Sequence, residues 1–149
     1  MSLVTATQVV LDLPVTDRTA AIRTLAETFV PEGRVSDLEA FLADVQRRED
    51  LMATGLPGGV AIPHSRSPHV TTPSMAFGRS TAGLDWGAAD GPARLVFLIG
   101  VPEGGQSDQL AVLAQLARRL TKPSFRDQLL TLNDPQAICD VLDEEVLRS

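Results

Sequence analysis

Apolar residues gather along the chain in short runs that alternate with longer stretches of three-to-four-residue spacing. Val9-Val10-Leu11-Asp12-Leu13 reads as a first strand, ended by Pro14. A helix capped by Thr16 follows, with Ala21, Ile22, Leu25, Ala26 and Phe29 on one face, and Pro31-Glu32-Gly33 stops it. Ser36 and Glu39 form a capping box for a second helix, in which Leu38, Phe41, Leu42 and Val45 recur at i, i+3, i+4 and i+7. That helix runs through Gln46-Arg47-Arg48-Glu49 and breaks near Gly55. Residues 55–59 read as a loop, and Val60-Ala61-Ile62 as a short buried strand ending at Pro63-His64. Ser74–Arg79 and Leu95–Val101 are further strands; the unbroken run Leu95–Ile99 suits a central strand buried on both faces. Pro102–Ser107 is a turn. A helix over Asp108–Leu120 should bury Leu110, Leu113, Ala114, Ala117 and Leu120, and a short one follows over Pro123–Leu130. Asp134 caps a last helix with Pro135 at its first position and Ile138, Val141 and Leu142 as its apolar stripe. Strands alternating with amphipathic helices predict an α/β fold: a single mixed sheet with helices on both faces, a three-layer α/β/α sandwich.

Composition narrows the class. The 149 residues are 44% hydrophobic and 21% charged, ordinary for a globular chain, and a domain of this size buries roughly 68–70% of its unfolded surface without disulfides or structural metal. No repeat or linker interrupts the sequence, so one domain over 1–149 is expected. The lone Cys139 fits a reducing compartment, and no apolar run or basic-then-apolar leader points to a membrane or to secretion, so a cytoplasmic protein is expected. Nineteen acidic against thirteen basic residues give a net charge of −6, which argues against nucleic acid as a partner. Aromatic residues are only 4% and tyrosine is absent, so stacking platforms for bases or sugars are not expected. Lys122 is the only lysine; arginine is therefore the residue expected to hold an anion.

No Walker loop, nucleophile elbow or dinucleotide-binding glycine motif is present. His64 and His69 lie five apart in a Pro-rich stretch that matches no zinc spacing, and neither metal nor cofactor is expected. What remains is Gly58-Gly59-Val60-Ala61-Ile62-Pro63-His64-Ser65-Arg66, which sets a histidine just past a buried strand, where α/β sheets carry their sites. From the residues alone, His64 is either a reactive imidazole or a surface loop histidine.

The segment Gly59-Val60-Ala61-Ile62-Pro63-His64 resembles the active-site signature of enzyme IIA domains of the fructose–mannitol type, from the bacterial sugar phosphotransferase system. The resemblance extends to Arg48-Glu49 at the end of the preceding helix, to the turn Gly55-Leu56-Pro57-Gly58, to Gly83-Leu84-Asp85-Trp86, to Leu95–Glu103 and to the helix Leu110–Leu120, in order and over nearly the whole chain. It implies that His64 accepts a phosphoryl group from the histidine phosphocarrier protein and passes it to an enzyme IIB domain, and so indirectly to a membrane enzyme IIC. Neutral imidazole is a good nucleophile near pH 7. Phosphoryl transfer asks the protein mainly for positioning and neutralisation of the equatorial oxygens, which an arginine fork supplies. The resemblance places Arg48 as the active-site arginine; Arg66 and Ser65 are candidate phosphate contacts, and His69 is expected at the surface. One departure stands out. Where the family has a second active-site histidine before a leucine, this chain has Gln109, which hydrogen-bonds but cannot carry charge. The resemblance therefore leaves two roles: a phosphoryl relay for uptake of fructose, mannitol or a related carbohydrate, or a regulatory module like the nitrogen-related branch, which acts on transporters or regulators according to its phosphorylation.

Overall fold

The computed structural model describes residues 3–88, 91–103 and 108–147, with backbone alone at 108–110 and 147. Its elements are β1 (Val9–Val10), α1 (Arg18–Glu27), α2 (Leu38–Leu51), β2 (Gly55–Leu56), β3 (Val60–Ala61), β4 (His64–Ser67), β5 (Ser74–Leu84), β6 (Ala93–Pro102), α3 (Asp108–Arg119), α4 (Pro123–Thr131) and α5 (Pro135–Leu142), then a π-helical turn over Asp143–Leu147. The strands make one mixed six-stranded sheet in the order β1-β5-β6-β3-β2, with β4 beside β6 beyond β3. β1 runs parallel to β5, β5 antiparallel to β6, β3 and β4 parallel to β6, and β2 antiparallel to β3.

Alternation along the strands sorts the core into two layers. Leu95, Phe97 and Ile99 of β6 and Met75 and Phe77 of β5 pack with Leu116, Leu120, Phe125, Leu129, Ile138 and Leu142, which belong to α3, α4, α5 and their joints. Val96 and Leu98 pack on the opposite face with Ile22, Leu25, Phe29, Phe41, Val45 and Trp86. The three layers expected from the sequence are thus α1–α2, sheet, and α3–α5. Gly78 is required by the closeness of the second layer: a Cβ there would lie 2.8 Å from Leu13 Cδ1 and 3.0 Å from Leu25 Cδ2.

Several local expectations give way to neighbours the pattern could not weigh. Asp17, not Thr16, caps α1, its Oδ1 accepting from Ala20 N at 2.8 Å. Asp37, not Ser36, caps α2 in the same way at 3.1 Å. Ser36 N instead donates to the His69 carbonyl at 2.8 Å, and Glu39 pairs with Arg23. β1 stops at Val10 because the Leu11 carbonyl is taken by Arg79 Nε at 3.1 Å. β5 continues past Arg79 to Leu84 through a register shift. Residues 55–59 are β2 and the tight turn of its hairpin with β3 rather than a loop throughout, with Gly58 and Gly59 at φ of 93° and 77° where a side chain would be strained. In α3, Leu116 is buried and Ala114 exposed, because the stripe that meets the sheet runs along Leu113, Leu116, Ala117 and Leu120. The side chain of Leu110 lies outside the described residues.

Candidate functional site

His64 opens β4 instead of sitting in a loop after β3. The registers Val60↔Leu95 and Ala61↔Val96 continue as His64↔Ile99 through Ser67↔Pro102 with the same offset, so β3 and β4 are one parallel strand interrupted at Ile62-Pro63. Pro63 has no N–H to give to a ladder, while its carbonyl still accepts from Ile99 N at 3.0 Å. The nucleophile candidate therefore stands on backbone paired along one side to β6, where the interrupted strand has run past β2.

The imidazole is half-buried, with Nδ1 2.8 Å from the Ile62 carbonyl oxygen. A carbonyl oxygen only accepts, so the contact is a hydrogen bond with the proton on Nδ1, which leaves the lone pair on Nε2. His64 lines a cleft of about 750 Å³ together with Asp44, Arg47, Arg48 and Leu51 of α2, Ser65 and Arg66 of β4, Ile99 and Val101 of β6, and Leu113 of α3. Each element reaches the cleft for a local reason. On α2, Asp44, Arg47, Arg48 and Leu51 recur at helical spacing and share one face, and Asp50 beside them also lines the cleft. On β4, alternation puts half-buried His64 and exposed Arg66 on one side and buried Ser65 and Ser67 on the other.

The structure brings His64, Arg48, Arg66 and Ser65 together. Arg48 stands in the last turn of α2 with Nη1 donating to the Met52 carbonyl at 2.8 Å, so its guanidinium is fixed at one corner. Ser65 Oγ donates along its own strand to the Arg66 carbonyl at 3.2 Å. Gln109 belongs to the first turn of α3, and its side chain lies outside the described residues. His69 does not line the cleft; its N–H donates to Ser67 Oγ and its carbonyl ties down Ser36. Among the described residues, no group of three or more His, Cys, Asp or Glu side chains is placed to hold a metal ion, and no helix is long and apolar enough to cross a membrane.

Two features escaped the sequence reading. Asp44 puts a carboxylate in the cleft wall, held by Ser67 Oγ at 2.6 Å and by an ion pair with Arg47. Its position one helical turn before Arg48 was a usable signal. Glu49, on the far side of α2 from the solvent, is buried and receives both donors of Thr54. The sequence names it as half of the Arg48-Glu49 pair in the resemblance, but spacing gives it no role.

The profile of the family described as phosphoenolpyruvate-dependent sugar phosphotransferase system, EIIA 2, matches residues 2–145. The PTS system fructose-specific EIIA component of Haloferax volcanii is 39% identical over 137 residues, which cover 91% of this chain and 89% of that protein. The PTS system fructose-specific EIIABC component of Bacillus subtilis is 37% identical over 113 residues, 75% of this chain and 18% of that longer protein. Among solved structures, the nitrogen regulatory protein IIA-Ntr from Neisseria meningitidis superposes with a TM-score of 0.86 at 29% identity, covering 94% of this chain and 96% of that one.

Proposed function

The chain belongs to the EIIA 2 family of the phosphoenolpyruvate-dependent sugar phosphotransferase system, a family of phosphotransferase components, and from that premise we propose that His64 is its phosphoryl carrier. In this reading Nε2 of His64 takes the phosphoryl group from the histidine phosphocarrier protein and delivers it to an enzyme IIB domain, which serves a membrane enzyme IIC in the uptake of fructose or a related carbohydrate. The reaction runs on the cytoplasmic side and uses neither nucleic acid nor cofactor.

The observation that carries the proposal is the 2.8 Å hydrogen bond from His64 Nδ1 to the Ile62 carbonyl. It selects the tautomer whose lone pair is on Nε2. That lone pair attacks phosphorus, the Nε2–P bond forms, and the N–P bond to the donor imidazole breaks with its electron pair returning to the donor ring. The Nδ1–H goes on donating to the Ile62 oxygen, which steadies the positive charge that develops on the His64 ring. Arg48 neutralises the equatorial oxygens with the guanidinium donors not committed to Met52, and Arg66 meets them from the strand side. Ser65, whose hydroxyl turns from the Arg66 carbonyl to the anion, and Gln109 supply neutral hydrogen bonds. The fructose-specific Haloferax and Bacillus relatives support fructose as the carbohydrate, and the joined A, B and C parts named in the latter support a IIB acceptor.

The test is incubation with phosphoenolpyruvate, enzyme I and the phosphocarrier, followed by intact mass under alkaline conditions. One acid-labile phosphoryl group is expected, lost in His64→Ala and kept in His69→Ala; a phosphoryl group that survives His64→Ala overturns the proposal. The likeness to IIA-Ntr supports a second reading, a regulatory module controlled by the same phosphorylation. Charged protein that passes its phosphoryl group to no IIB domain favours that second role.

A further inference from the structure

Antiparallel β2 and β3 pair Gly55 with Ala61 and Leu56 with Val60, so the next opposed residues are Thr54 and Ile62. Ile62 N donates to the Thr54 carbonyl at 3.1 Å, which marks these two as a pair that would exchange both backbone hydrogen bonds. The return bond, Thr54 N–H to the Ile62 carbonyl, is replaced. Thr54 N donates to Glu49 Oε2 at 3.2 Å, and the Ile62 carbonyl receives His64 Nδ1–H at 2.8 Å. Glu49 holds Thr54 a second time, because Trp86 Nε1, which can only donate, points at Thr54 Oγ1 at 3.2 Å, and the hydroxyl proton then goes to Glu49 Oε1. Glu49 and Thr54 are each 7% exposed and Trp86 is fully buried, so water does not substitute for any of these partners.

We propose that Glu49 is a positioning residue for His64: by drawing the Thr54 N–H out of the β2–β3 ladder it reserves the Ile62 carbonyl for the His64 ring. Without the carboxylate, the Thr54 N–H turns to the Ile62 oxygen and competes with Nδ1–H, and the ring loses the bond that fixes both its orientation and its tautomer. The effect on phosphoryl transfer rests on the function proposed above; the effect on the tautomer does not.

The two effects are read separately. In protein carrying 15N-labelled histidine, the wild-type His64 shifts should report a proton on Nδ1 and none on Nε2. Glu49→Gln is nearly isosteric but offers an NH2 group to two Thr54 donors, so one of them loses its acceptor. The His64 shifts should then move toward the average of both tautomers, and single-turnover transfer from the phosphocarrier should slow about 10-fold with half-saturation unchanged. Thr54→Val and Thr54→Ser both keep the backbone N–H that Glu49 Oε2 holds, so both should keep the wild-type His64 shifts. A wild-type His64 with its proton on Nε2 overturns the proposal, as does a folded Glu49→Gln whose shifts and transfer rate match wild type. If the shifts move as expected but no variant, wild type included, accepts a phosphoryl group, the positioning stands and the proposed function falls.

Discussion

Replacing Arg48 by lysine keeps the positive charge in the cleft and removes the fork. The guanidinium carries five N–H donors, and one is spent on the Met52 carbonyl at 2.8 Å, which leaves the rest for an anion beside His64. A lysine ammonium has three donors on a single nitrogen, so holding Met52 and a transferring phosphoryl group at once costs it at least one charge-assisted hydrogen bond. Such a bond contributes about 1.5–3 kcal/mol. Lost from the transition state alone, that is a fall of about 10- to 100-fold in rate. Folding should survive, because Arg48 is half-buried at the end of α2 and lysine is nearly as good a helix former. The assay is single-turnover transfer from charged phosphocarrier to wild type and Arg48→Lys, with thermal unfolding followed in parallel. Equal unfolding temperatures with rates that agree within about twofold would refute the reasoning, since the fork would then contribute nothing to the step.

The remaining predictions concern one structural and one chemical position. Arg79 is buried, and its guanidinium donates to the Leu129, Leu130 and Leu132 carbonyls at the end of α4, to the Leu11 carbonyl and to Asn133 Oδ1. Arg79→Met strands those acceptors and should destabilise by about 3–5 kcal/mol, read as a fall of about 10 °C in unfolding temperature; a shift under about 2 °C would show that the cluster relaxes freely. Gln109→His adds a second imidazole at the start of α3, so the pH profile of transfer should gain an ionisation between about pH 5.5 and 8 that wild type lacks. Profiles that coincide would place residue 109 outside the site.

The helices were legible because their apolar stripes are made of local repeats, and the stripes of α1, α2 and α5 were read nearly residue by residue. Their starts were not: Thr16-Asp17 and Ser36-Asp37 each offer two competent caps in a row, and in both cases the carboxylate won while Ser36 was drawn off by the His69 carbonyl, 33 residues away. The same limit governs the cleft. His64, Arg48, Ser65 and Arg66 could be named from the sequence and its resemblance, and the structure brings those four to one cleft. Glu49 and Trp86 lie in the resembling segments, but their meeting at Thr54 was not legible, because it forms only after β2 and β3 have paired and the segment after β5 has folded back.

Pro63 is where the sequence reading and the structure differ with most consequence. A proline after a buried run reads as the end of a strand, and in a central strand it would be one. Here the missing N–H costs a single ladder position, and the strand resumes at His64 in the same register against β6. A histidine in a loop would depend on its own side-chain contacts to stay aimed. A histidine on β4 has its backbone fixed by pairing with Ile99, its ring fixed by the carbonyl two residues before it, and only Nε2 left to react. Ile62, just past β3, still donates its N–H to the Thr54 carbonyl, and its own carbonyl goes to the ring while the Thr54 N–H goes to Glu49. A rigid imidazole of defined tautomer is what a relay needs if it must receive a phosphoryl group from one protein surface and release it to another without rearranging in between.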